Sequence, residues 1–190
     1  MSMIPNPTTL DDKLKLMAKV ARGMTRYPDQ VQFKVAVTRN RADIDIVAHP
    51  NDARRLVGAN GTVIASMVQL TKMLFRNEEQ YVSYGRVESN GSPAESRVPF
   101  KPKKFWPRDD IVALADELTK AIFPNHNSTV ETLDTSDVRT ALNIYVVGID
   151  SYSESQYTKA MARVFSAIGF LHGRILQVNV NAQEVINKTL

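Results

Sequence analysis

The chain has no cysteine among its 190 residues. A disulfide framework, a thiol nucleophile and a thiolate metal site are all excluded by that absence. Histidine is scarce, with 3 residues: His49 at a strand end, His126 in a polar loop and His172 at a helix end. No HExxH, GxSxG or GxxxxGK pattern occurs, so no catalytic constellation can be assembled, and the reading is a non-enzyme without cofactor or metal. Asp43 and Asp45 come nearest to a metal pair, but carboxylates two apart on a strand more often meet solvent. Asp109-Asp110 and Asp116-Glu117 read as helix cap and helix surface. No apolar run reaches about 18 residues, and no charged segment followed by an apolar core opens the chain. The expectation is a cytoplasmic protein with no membrane partner, in which Asn60-Gly61-Thr62 and Asn127-Ser128-Thr129 are accidental sequons. Strong charge of one sign is missing too. A net charge of +4 and a pI near 9.3 permit a polyanionic partner without demanding one.

What is present suits a folded α+β protein: 43% hydrophobic and 23% charged residues, in a length that holds one large or two small domains. Residues 1–9 read as a flexible leader. Leu10, Leu14, Met17, Ala21 and Met24 follow helical spacing and predict an amphipathic helix from about 10 to 26, with Lys13, Lys15, Lys19 and Arg22 on its solvated side. Val31, Phe33, Val35 and Val37 alternate along one strand, and Ala42, Ile44, Ile46 and Ala48 along the next. The loop between them carries Arg39 and Arg41. A short helix, Asn51–Val57, follows Pro50, with Asn51 or Asp52 available to cap it. Val63, Met67, Leu70 and Leu74 mark a longer helix, and Tyr81–Val87 a third strand.

Between those two helices stands Gly58-Ala59-Asn60-Gly61. Asn-Gly is a hairpin signal only between alternating runs, and the flanks here are helical. Two glycines let the backbone turn sharply and approach a ligand that a Cβ would block. Amides opening the second helix, from Thr62, suit a phosphate. Helix, GxxG and helix in sequence are how KH domains clamp single-stranded nucleic acid.

The order α-β-β-α-GxxG-α-β over residues 10–88, with Tyr27-Pro28-Asp29-Gln30-Val31 and the run Ala48-His49-Pro50-Asn51-Asp52-Ala53-Arg54-Arg55-Leu56-Val57-Gly58, resembles the small bacterial KH RNA-binding proteins and their type II-like arrangement. The resemblance covers a little under half the chain. It implies binding of single-stranded RNA with low sequence specificity. Gly58, Ala59, Asn60, Gly61 and Thr62 would form the clamp, and Arg54 and Arg55 would supply charge. Leu56, Val57, Val63 and Ile64 would be the apolar floor, with Arg39 and Arg41 reaching in from the hairpin. Family members often carry Lys or Arg between the glycines. Ala59-Asn60 has neither, so the loop itself brings no neutralising charge, though nothing acidic repels a phosphate.

Residues 89–108 form a linker rather than a domain. Arg97, Lys101, Lys103, Lys104 and Arg108 are interleaved with Phe100, Phe105 and Trp106, and basic residues among aromatics suit phosphates and unpaired bases. The competing reading makes Phe105 and Trp106 packing residues. Residues 109–182 form a second small α/β domain: a helix capped by Asp109 or Asp110, a polar loop over 125–137, a strand through Leu142, Ile144 and Val146, a helix opened by Ser153, and a strand Ile175–Val180. This order is that of the first unit without its GxxG and one short helix, as in a degenerate repeat. Residues 183–190 are read as a tail. The pairing of a KH unit with a second unit departs from the minimal bacterial proteins and resembles KH-containing mRNA-binding proteins of nucleus-forming jumbo bacteriophages. The implied partner is single-stranded RNA, messenger RNA in that family, inside a bacterial cell. The alternatives are an assembly module with a vestigial GxxG, using the second domain for self-association or a protein partner, and a single-stranded DNA binder.

Overall fold

The computed structural model describes residues 9–38, 41–76, 81–91, 106–136 and 138–183. The leader before Thr9, Arg39, linker residues 92–105 and the tail after Gln183 lie outside them.

Thr9 opens the first helix, α1 (Leu10–Gly23), by accepting the Asp12 amide on its hydroxyl. Leu16, Met17, Val20 and Ala21 bury its apolar stripe. The helix ends three residues earlier than its pattern suggests. Lys13 is not on a solvated face. It is buried, with its ammonium 5.4 Å from the centre of the Phe75 ring, while its methylenes extend the apolar stripe.

Strands β1 (Gln32–Thr38) and β2 (Arg41–Ala48) pair antiparallel, and β3 (Tyr81–Ser89) joins β2 in parallel. A parallel neighbour requires a crossover. Here it carries α2 (Pro50–Val57) and α3 (Thr62–Leu74). Ala42, Ile44, Ile46 and Ala48 of β2 are fully buried, as alternation requires. The apolar face of β1 runs past its cover, leaving Val35 and Val37 exposed.

The cap of α2 is neither Asn51 nor Asp52. His49 Nδ1 accepts the Asn51 amide at 3.2 Å, and the His49 ring packs 4.0 Å from that of Tyr27. Asp52 is fully buried and accepts the Arg26 and Tyr27 amides at 2.9 and 2.8 Å. A carboxylate removed from water is tolerable only with such donors. The bond ties the chain leaving α1 to α2.

Helix α4 (Arg108–Ile122) starts at Pro107, with Asp109 and Asp110 in its first turn rather than at its cap. The expected polar loop over 125–137 contains a strand, β4 (Ser128–Ser136), antiparallel to β5 (Arg139–Val147). Its residues are mostly polar because it is an edge strand. Pairing with β5 and the β-branched Thr129, Val130 and Thr132 support it without an apolar alternation. Asp150, not Ser153, caps α5 (Ser151–Leu171), accepting the Ser153 amide at 2.8 Å. Strand β6 (Ile175–Gln183) then pairs parallel to β5.

The two sheets, β1-β2-β3 and β4-β5-β6, thus repeat one another in order and sense. Each follows a helix, and each has a helical crossover into its last strand. The second unit carries the single helix α5 where the first has α2, GxxG and α3. Buried side chains from both units form one continuous cluster, with α3 packed on α5. Lys19 of α1 also pairs with Glu117 of α4. Among the described residues no helix is long and apolar enough to cross a membrane.

Replacing Asp52 by Ala leaves two amides without their acceptor. The expected loss is about 2–4 kcal/mol in a denaturant titration. Asn, which keeps one acceptor oxygen, should lose roughly half of that. A wild-type midpoint for the Ala variant would show that water replaces the carboxylate.

Candidate nucleic-acid interface

The GxxG connection is a sharp left-handed turn. Gly58 sits at φ 76°, Asn60 at φ 53° and Gly61 at φ 75°. Asparagine is among the few side-chain-bearing residues that adopt this region readily. Residues Ala59–Gly61 form one 3-10 turn, and the Gly61 amide donates to Gly58 O at 3.2 Å.

The two glycines serve different needs. A Cβ on Gly58 would stand 2.5 Å from Val63 Cγ2 and 2.9 Å from the Val63 backbone nitrogen, so this glycine lets the turn fold back against α3. A Cβ on Gly61 would meet nothing nearer than Ile64 Cγ2 at 3.9 Å. Space above Gly61 is open, and Ala59 and Asn60 are exposed on the same turn. No side chain caps α3, whose first turn begins at Thr62.

Arg54 and Arg55 occupy the last turn of α2, just before the glycines. Arg54 is exposed and Arg55 half-buried, and among the described residues neither forms an ion pair. The Arg55 pKa is pushed below its ordinary value, first by burial and then by the neighbouring Arg26 cation, with Asp52 opposing. An anion arriving beside Arg55 would offset the repulsion from Arg26. Of the expected apolar floor, Val57 is exposed and Ile64 half-buried, so both can meet a ligand. Leu56 and Val63 are buried and support it from beneath.

Other expected residues are not brought to this turn. Arg41 lies on the face of β2 away from the buried residues, bonded to Asp43 at 2.8 Å and to Ser83. Lys101, Lys103, Lys104 and Phe105 lie outside the described residues. Trp106 is half-buried between the two units. Its amide donates to His172 Nδ1 at 3.0 Å, its ring stacks on His172, and its edge lies against Gly23. One face and one edge of the ring are therefore used in packing. Arg108 is paired with Asp134 and Asp109.

The three histidines are held in place by structure. Besides His49 and His172, His126 Nδ1 lies 2.7 Å from Val147 O. Among the described residues no group of three His, Asp or Glu could hold a metal. Sequence reasoning missed His49 and Asp52, which position α2. It also missed a groove of about 390 Å³ that starts at Thr62 and runs between α3 and α5. The 3–4 spacing of Gln156, Lys159 and Arg163 places them on one face of α5, but nothing local to α5 says that α3 lies beside that face.

No protein-family model matches the chain, and no curated protein matches it either.

The different needs of the glycines predict unequal costs. Gly61→Ala should lose only the left-handed penalty of about 1–2 kcal/mol. Gly58→Ala adds an overpacking cost of about 1–3 kcal/mol. Thermal melts of the two variants side by side check this, and equal losses would mean that Val63 moves aside freely.

Proposed function

We propose that the chain binds single-stranded RNA, with the Gly58–Gly61 turn as a backbone clamp. The observation that carries this reading is the pairing of an exposed left-handed turn, open above Gly61, with two arginines that, among the described residues, have no carboxylate within ion-pair distance. The open turn admits a sugar-phosphate backbone at close range. The first turn of α3 presents amides and the positive end of its dipole to a phosphate. Arg54 and Arg55 supply the charge that Ala59 and Asn60 lack. Val57 and Ile64 offer apolar surface beside the turn, where an unstacked base would rest.

Clamp contacts of this kind go to the sugar-phosphate backbone, which is the same for every base, and support low sequence specificity. The order of elements over residues 10–88, helix, hairpin, helix, GxxG, helix and strand, supports the KH resemblance. The repeated sheet of the second unit supports its origin as a repeat without the clamp. Messenger RNA in a bacterial cell is the partner this resemblance favours.

The double substitution Ala59→Asp, Asn60→Asp tests the clamp. Both positions are exposed, and aspartate tolerates a left-handed backbone, so the melting temperature should hardly change. Affinity for single-stranded RNA should fall at least about tenfold through phosphate repulsion. The parent protein should prefer single strands to duplex of equal length, because a duplex hides its bases. A folded double mutant with parental affinity would remove the turn from the site. Equal affinity for duplex would point to a charge patch, and a preference for single-stranded DNA would change the ligand.

A further inference from the structure

The groove between α3 and α5 begins where the clamp ends. Thr62, Ser66 and Gln69 form its α3 wall, and Gln156, Lys159 and Arg163 its α5 wall. Ala65 and Ala160 complete the lining, so polar side chains stand beside apolar surface on both walls, and the cations come from the second unit alone.

Some surface cations in this protein stand opposite acids, and others, Lys72 and Arg139 among them, have no ion pair among the described residues. Lys15 pairs with Asp11, Lys34 with Glu88, Arg86 with Asp45 and Lys120 with Asp116. Lys159 and Arg163 are exposed and, among the described residues, have no such partner. At about 100° per residue, Tyr152, Gln156, Lys159, Arg163 and Phe170 fall within an arc of about 60° on α5, with no acidic residue among them. Tyr152 and Phe170 are 73% and 77% exposed, unusual for aromatics on a helix whose other face is packed. They stand about 27 Å apart along the helix axis. Cations flanked by free aromatic faces form the surface that tracks a single strand, phosphates on the charges and bases on the rings.

We propose that this α5 stripe, together with the α3–α5 groove, is a second RNA-binding segment that continues the path of a strand leaving the Gly58–Gly61 turn. The proposal rests on the clamp reading. Lys159 and Arg163 take phosphates, Gln69 and Gln156 bond to sugars or base edges, and Tyr152 and Phe170 stack on bases. The second unit thereby becomes part of the binding surface and lengthens the site beyond the few nucleotides a clamp holds.

The test uses the full chain and two RNA lengths, about four nucleotides, which a clamp alone accommodates, and about twelve. Lys159→Ser with Arg163→Ser should weaken binding of the longer RNA about tenfold. It should lower the slope of log affinity against log salt by about 0.7 per lost contact, and leave the shorter RNA unaffected. Phe170→Ala should weaken the longer RNA while leaving that slope nearly unchanged, since stacking releases no counterions. These positions are exposed, and melting curves on the same samples verify folding. Parental affinity of the serine variant for both lengths, with binding abolished by the Ala59→Asp, Asn60→Asp double substitution, overturns the second segment and leaves the clamp standing. If the serine variant loses binding while the aspartate variant keeps it, both the clamp and the continuous path are overturned. Loss of an acidic peptide rather than RNA by the serine variant also overturns the proposal.

Discussion

The contact between α3 and α5 is what the rest of the structure depends on. A three-stranded sheet covered by a few helices is a small unit, and small units bury too little apolar surface to offset chain entropy comfortably. Here neither unit closes its core alone. Leu70 and Met67 of α3, and Tyr157, Met161 and Val164 of α5, belong to one buried cluster that reaches both sheets. Joining the units converts two marginal cores into one. It also fixes the start of α3, and therefore the turn that precedes it.

That joint explains several residues that would look functional in isolation. His172 lies at the end of α5 with one ring nitrogen 3.1 Å from Gly23 O and the other accepting from the Trp106 amide. Gly23 has no side chain, and a Cβ there would come within 3.0 Å of the Trp106 ring. A histidine, a tryptophan and a glycine distant in sequence thus form one seam between the units. Asp52 plays a similar part within the first unit, where its two accepted amides hold α2 against the exit of α1. Rigidity at both ends of the α2–α3 pair lets the connection between them adopt three positive φ angles. Glycine and asparagine take up such angles at little cost.

The repeat also accounts for the asymmetry between the units. In the first, the crossover is broken by glycines into two helices, which creates an exposed turn. In the second, it is the uninterrupted α5, whose outer face exposes Tyr152, Lys159, Arg163 and Phe170. A broken crossover offers backbone amides, and an unbroken one offers a long row of side chains. The two surfaces meet at the groove that begins at Thr62.

The sequence by itself determined the elements whose cause is local. Helical and strand periods located α1, β2, α3, β3, α4, β5, α5 and β6, because burying one face imposes a spacing that needs no knowledge of the partner. The glycine pair located the turn, because positive φ is a property of single residues. Only tertiary structure decided what each face meets. Val35 and Val37 alternate as a buried strand does, yet nothing in the described chain covers them. The polar β4 is a strand because β5 lends it a hydrogen-bonding edge. Lys13 looked solvated and lies against Phe75, while Trp106 looked available and is held in the seam. The groove of Lys159 and Arg163 exists because α5 comes to rest beside α3. Each of these is a meeting of residues far apart in the chain, and local spacing carries no information about which distant surface will arrive.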